Sequence, residues 1–489
     1  MSVIKRLAGD TAIYGISSVL GRFLSILLTP IHTNLLAGTG DYGLLSTFFS
    51  YIAFFNVLLI FGMETTFFRF TEDEKEKGMV YNQAFLLVGG LASLVLLLGL
   101  LAHDGIAALM NYPDEGLIVM IVMGILAIDA FAALPMARLR QQGRAKRFAT
   151  INIINIVLTV GLNWIFLTFI STDIVWVFVA NITASAIRLG LALITGLPSS
   201  LKPRLAALKP MLHYGFFIMI AGLAGMMNET LDRILIPQLW EDGSLFNGEG
   251  RTGEQMNGIY AACYKLSMFI ALFTQAFRYA AEPFFFKDAK NKNSPETIAK
   301  VFHYFFIAVL AGFVIVSAYK DEIAAFNFFG LLGETTFIDK RYWEGLFIVP
   351  ILLMAYLFSA TYVNMSIWFK ITKQTRFAIL FTGTGALITI LINVFTIPKY
   401  GFVGSAWATL ICYAVMVVLV YLTGQRYYPV PYKLTRLGQY LLLALVAFGI
   451  NRRIGYVPGE WLEFWAKGFV MLLFFGIVYL WEKTKPSFQ

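Results

Sequence analysis

Four basic side chains, Arg22, Arg188, Arg233 and Lys265, stand inside stretches that are otherwise apolar enough to lie in a bilayer. A cation in the hydrocarbon layer costs about 2.5–3.5 kcal/mol on insertion scales, and such residues face a bundle interior or a wet cavity. Several of them in one chain point to an anionic ligand. Polar residues cluster with one of them: Asn228, Glu229, Asp232 and Arg233 share about one helical turn, and Glu229 can pair with Arg233 at i,i+4. Asp129 stands alone near the middle of another apolar stretch. These carboxylates read either as packing partners of the cations or as sites for a coupling ion. Arg188 and Lys265 lie off-centre in their stretches, where a long side chain can also reach the interface.

Thr11, Gly15, Ser18, Arg22, Ser25 and Thr29 follow one another at intervals of three and four, which places all six on one helical face. Small residues alone would suit a helix–helix seam. A hydrated guanidinium does not fit a seam, so the face is expected to line a cavity. Ser18, Ser25, Asn56 and Asn228 are the expected polar lining, and Arg22, Arg233, Lys265 and Arg188 the expected anion ligands. Asp129, Glu229 and Asp232 are the candidates for ion coupling.

No HExxH, GxSxG or P-loop pattern occurs, and no cofactor, metal or catalytic residue is expected. No soluble stretch is long enough for a nucleotide domain. The longest segments assigned to the outside, about 240–256 and 320–342, are short for the catalytic loop of a glycan polymerase.

The elements that hold these residues follow from composition. Of 489 residues 58% are hydrophobic and 14% charged, whereas a soluble domain carries about a quarter charged. Apolar runs of about 20 residues recur throughout, the length that crosses a bilayer as a helix. The reading is an all-α polytopic membrane protein with fourteen spans, centred near residues 22, 54, 93, 126, 158, 183, 222, 269, 309, 356, 386, 410, 445 and 472. With both termini in the cytoplasm, most Lys and Arg fall in inside segments, as the positive-inside rule requires. The net charge of +9 is then a matter of topology, and nucleic acid is not expected as a partner. Cys263 and Cys412 both fall in spans and form no disulfide framework. No cleavable signal peptide is expected.

Tyr14-Gly15 opens the first span and Tyr214-Gly215 the seventh, and each span ends in an apolar run meeting a proline, Pro30 or Pro237. Six helices per repeat keep both halves in one orientation, as in transporters whose site lies between two lobes. The expected organisation is a six-helix lobe over 1–200, a second over 201–428, and two additional helices with a cytoplasmic tail over 429–489.

Several local patterns then carry a resemblance: Leu20-Gly21-Arg22 with Thr29-Pro30, Asp41-Tyr42-Gly43-Leu44-Leu45-Ser46, Asp232-Arg233, Gly258-Ile259-Tyr260, and Pro398-Lys399-Tyr400-Gly401 leading into Gly404-Ser405-Ala406-Trp407-Ala408-Thr409. In this order the chain resembles the multidrug/oligosaccharidyl-lipid/polysaccharide exporter superfamily, and within it the bacterial polysaccharide (O-unit) flippases. The resemblance covers essentially the whole chain. It implies two lobes around a central cavity, alternating access, and export of undecaprenyl-diphosphate-linked oligosaccharide across the bacterial inner membrane. It implies that Arg22 lines a cationic cavity and that the two additional helices help form a groove for a polyprenyl tail. Membrane lipid and a glycan polymerase or assembly complex are the implied partners of a monomeric chain. The lipid II branch carries arginine inside span 2, where this chain has Asn56, which points away from lipid II. A cation-coupled multidrug exporter of the same superfamily and a membrane glycan polymerase are the competing readings.

Overall fold

The computed structural model describes residues 21, 24, 26–71, 77–194, 196–241, 250–289, 291, 293–327, 335–454 and 461–484. Thirteen helices among them are long and apolar enough to cross a membrane. They coincide with spans two to fourteen of the sequence reading, while most of the first span falls outside the described residues. Lipid offers no hydrogen bonds to a backbone, so a spanning segment satisfies its own peptide groups by coiling into a helix. Hydroxyls inside these helices do the same locally: Thr230 donates to the Met226 carbonyl and Ser50 to that of Ser46.

The chain divides into two compact units, residues 1–258 and 259–489. In the first, the helices are α1 (Thr39–Ile60), α2 (Met63–Phe70), α3 (Lys77–Leu109), α4 (Gly116–Gln141), α5 (Ala145–Phe169), α6 (Val175–Leu193) and α7 (Leu205–Leu239). The opening turn of α8 (Gly253–Asp288) also belongs here. α3 lies along α4, α4 along α6, and α6 along α5, while α1 packs on α4 and on α7. Thus α7, by sequence the opening span of the second lobe, packs inside the first unit. Leu94, Leu97 and Leu101 leave an exposed apolar stripe on α3, the surface a lipid-facing helix presents.

The segment that follows α6 is tied down by three consecutive residues of α3. Tyr81 donates to the Gly196 carbonyl at 3.0 Å. Asn82 and Ser199 exchange two bonds of 3.1 Å. Gln83 donates to the Lys202 carbonyl and accepts from the Arg204 amide. The Arg138 guanidinium stacks 4.4 Å from the Tyr81 ring and also bonds the Gly196 carbonyl.

The second unit holds the rest of α8, then α9 (Ser294–Ala318), α10 (Lys320–Ala325), α11 (Val349–Met365), α12 (Ile367–Ile371), α13 (Arg376–Tyr400), α14 (Phe402–Tyr427), α15 (Leu434–Ile454) and α16 (Trp461–Thr484). α11 packs on α14 and α9, α13 runs along α14, and α15 lies between α9 and α16. Gly401 makes the sharp turn from α13 to α14 at φ 53°, a conformation glycine adopts without strain. Just beyond it, a Cβ on Gly404 would overlap Thr396, and Ser405 donates to Asn393 at 2.6 Å. The Pro398–Thr409 pattern is therefore the packing code of one helix hairpin.

Two polar ties attach the last helices to their neighbours. His303 Nε2 on α9 and Glu482 Oε1 on α16 are 2.9 Å apart, and the Tyr440 hydroxyl of α15 donates to the same oxygen. Toward the other end of α16, Lys467 donates to Glu322 of α10 at 2.6 Å. Lys467 stands in the second turn of α16, and its side chain is only 2% exposed.

Candidate functional site

The polar cluster of α7 meets two other helix ends in the first unit. Each of those ends is built for a close approach. α1 begins with the Gly38 amide donating to the Asp41 carboxylate at 2.9 Å. α8 begins with a reciprocal capping box between Thr252 and Gln255. A Cβ on Gly43 would overlap the Glu254 carbonyl, and a Cβ on Gly258 would overlap the Thr39 carbonyl. Each glycine thus makes room for the carbonyl four residues before the other glycine.

Where α7 joins them, a proline dictates the chemistry. Pro237 has no N–H, so the Arg233 carbonyl lacks its helical donor. Two side chains replace it: Thr47 donates at 3.2 Å and Asn257 at 3.1 Å. The Asn257 amide nitrogen also lies 2.8 Å from Thr47 Oγ1 and 3.0 Å from the Gly43 carbonyl, so its two hydrogens are shared among three acceptors. One asparagine therefore joins α1, α7 and α8. Asn257→Leu is expected to lower stability by about 1–3 kcal/mol, because it strands carbonyls that lipid cannot solvate. Pro237→Ala returns an N–H to Arg233 and should recover part of that loss in the double variant. Unfolding of the four proteins in detergent measures both steps.

The Arg233 side chain leaves this junction at 15% exposure, with Asp232, 5% exposed, beside it. Arg233 Nε is 3.9 Å from Asp232 Oδ1, and the same oxygen accepts the Arg233 backbone N–H at 2.8 Å. The adjacent carboxylate, rather than Glu229, is the ion partner: Glu229 is exposed and forms no pair with Arg233. Asn228 is buried on the same helix. Asn56 is half-buried on α1, and its amide oxygen has no partner among the described residues.

Asp129 and Arg188 are brought together. They join α4 to α6 at 3.6 Å, so the isolated acid and the off-centre cation of the sequence are one pair. Lys265 lies half-buried on α8 in the second unit. Ser18, Arg22 and Ser25 fall outside the described residues. The sequence reading missed Thr47 and Asn257. Their signal was Pro237, whose missing donor obliges some neighbour to serve the Arg233 carbonyl.

The chain can now be set beside known proteins. A family model described as "Polysaccharide biosynthesis protein" matches residues 7–287. No curated protein sequence matches. Among solved structures, a lipid II flippase, MurJ, in an inward closed conformation aligns at TM-score 0.73 and 14% identity, covering 96% of this chain and 98% of its own. An inward-facing multidrug resistance transporter of the MATE family aligns at TM-score 0.64 and 14% identity, covering 85% and 95%. The multidrug transporter DinF-BH aligns at 0.61 and 15%, covering 88% and 97%. At these identities the likeness is one of fold.

Proposed function

This chain belongs to the polysaccharide biosynthesis protein family, a group of multi-pass membrane flippases and exporters, and from that premise we propose that it carries undecaprenyl-diphosphate-linked oligosaccharide across the bacterial cytoplasmic membrane. The observation that carries the reading is Arg233, a guanidinium kept within a spanning helix with little exposure. A cation in a low-dielectric site holds a phosphate oxygen far more strongly than it would in water. Arg22 is the further ligand proposed for the diphosphate. The glycan travels in hydrated space while the polyprenyl chain stays in lipid. The two lobes alternate in access, both termini face the cytoplasm, and the chain acts as a transporter rather than an enzyme.

The multidrug reading asks for acids free to receive a cationic drug or coupling ion. Of the three candidate acids, Asp129 is engaged by Arg188 and Asp232 by Arg233, leaving the exposed Glu229 alone for that role.

The test is complementation of a strain lacking its O-unit flippase, read as surface polysaccharide. A charge-assisted contact contributes about 1.5–3 kcal/mol, so Arg22→Ala and Arg233→Ala should each lower export roughly ten- to a hundredfold. Arg22→Lys should keep part of the activity. Full complementation by both Arg22 variants would sink the anion-site reading. Overexpression should confer no resistance to cationic dyes.

A further inference from the structure

The pattern Glu64-x-x-Phe67-Phe68-Arg69 returns as Glu282-x-x-Phe285-Phe286-Lys287. The first copy lies in α2, just beyond α1, and the second in the last turns of α8. In each unit the carboxylate takes a base from another helix: Arg140 of α4 donates to Glu64, and Lys370 of α12 to Glu282. The first phenylalanine of each copy, Phe67 or Phe285, is buried. Beyond each base the chain turns in the same way. Gly143 and Lys373 have φ of 66° and 59°, and the amide that follows, of Arg144 or Gln374, donates to the Leu139 or Phe369 carbonyl at 2.9 and 2.8 Å. The next helices repeat a further bond: Asn163 Nδ2 donates to the Thr159 carbonyl on α5, and Asn393 Nδ2 to the Thr389 carbonyl on α13. One latch is thus built twice, once in each unit.

The copies differ in the helix that carries the carboxylate. α8 runs unbroken to Asp288, through the stretch that matches residues 61 and 62. In the first unit the helix breaks there: Phe61 has φ 52° and ψ 31°, and Gly62 has φ 65° and ψ 12°. Glycine takes this left-handed geometry freely, whereas a side chain with a Cβ is strained in it. Such strain persists only where the surroundings hold it, and here they do. The backbone at the break lies against Gly215 of α7: a Cβ on Gly62 would come 2.7 Å from the Gly215 carbonyl oxygen, and a Cβ on Gly215 the same distance from that of Phe61. The Arg69 guanidinium stacks 4.4 Å from the Tyr214 ring of α7. α2 is therefore an eight-residue piece, bent off its span and gripped by α7 on one side and by Arg140 of α4 on the other.

We infer that α2 is a two-position element of the first unit. In the position seen here it is bent at Phe61 and Gly62 and latched to α4 and α7. In the other, both residues return to helical geometry and α1 continues straight through α2, as α8 does through its own copy. The strained Phe61 favours straightening, and the Glu64–Arg140 and Arg69–Tyr214 contacts oppose it, which makes the element bistable. In the proposed orientation α2 stands at the cytoplasmic end of its span, so the switch reshapes the cytoplasmic face of the first unit. The device is the same whichever cargo the chain carries.

Spin labels on cysteines placed at Thr65 of α2 and at Phe169, the last residue of α5, report the position of α2 in the full-length protein in nanodiscs. Both sites are exposed, and the native Cys263 and Cys412 are buried and stay in place. Straightening carries Thr65 away from Phe169. Double electron–electron resonance is expected to show two distances. Gly62→Ala disfavours the bend and crowds Gly215, so it should raise the share of the longer distance over the shorter about tenfold. Glu64→Gln weakens a partly exposed pair and should raise it about threefold. Phe61→Gly removes the strain and should lower it about tenfold. If Gly62→Ala does not fold, the other two variants decide. Labels at Phe284 of α8 and Phe395 of α13, both exposed, should give one distance that Glu282→Gln leaves unchanged. A single fixed distance in the first unit across all folded variants would overturn the inference. So would shifts of Phe61→Gly and Glu64→Gln in the same direction, or two distances in the second unit.

Discussion

Glu322→Leu is expected to be among the most damaging substitutions in the second unit. It removes the carboxylate that holds Lys467, whose side chain is 2% exposed, at 2.6 Å. Breaking a buried ion pair from one side costs about 3–5 kcal/mol, because the remaining charge keeps its desolvation penalty and loses its counter-charge. The reverse change, Lys467→Met, should cost less. It leaves Glu322 with 22% of its side chain exposed, so the stranded carboxylate can recover some hydration. The double variant should return close to wild type, since apolar replacement of both partners removes the desolvation term along with the attraction. Unfolding of all four proteins in detergent gives the cycle. Equal costs for the two single changes would contradict the stated burial of Lys467.

Gly43→Val is expected to abolish function. Its Cβ would overlap the backbone carbonyl of Glu254, and a backbone atom cannot swing aside as a long side chain can. Overpacking in a responsive core costs about 1–3 kcal/mol; here relief requires the two helices to separate, so the cost should exceed that range. Separation would also pull Asn257 from the Gly43 carbonyl and from Thr47. Gly258→Val should reproduce the effect through Thr39. Because either change alone opens the same crossing, the double variant should be little worse than either single one. Complementation and yield of folded protein in the three strains measure this.

Thirteen spans could be read in advance because each is a long apolar run, and lipid leaves such a run one conformation. The pairing of charges was harder to read. Asp129 and Arg188 are 59 residues apart in sequence, and only the packing of α4 on α6 brings them together. Arg233 has two carboxylates within helical reach, at positions 229 and 232. Local spacing favours Glu229, but Asp232 is the one whose oxygen also accepts the Arg233 amide. Lys467 looks like an end-of-span lysine bound for water, and its partner lies 145 residues earlier. Asn257 has no local pattern at all. Its role follows from a proline 20 residues upstream and a glycine on another helix. The local motifs fared better as packing signals than as chemistry: Asp41 caps, Gly43 and Gly258 admit carbonyls, and Gly401 turns a hairpin.

The ladder formed by Tyr81, Asn82 and Gln83 has a practical implication. Adjacent residues of one helix grip successive points of the stretch from Gly196 to Arg204, so spacing along that stretch is fixed as firmly as in a paired strand. Inserting a single residue beside Ser199 would shift every later grip out of step. A polar connection between spans is the usual choice for an epitope tag or a protease site. Here such an addition would be paid for in α3, and tags belong elsewhere on the chain.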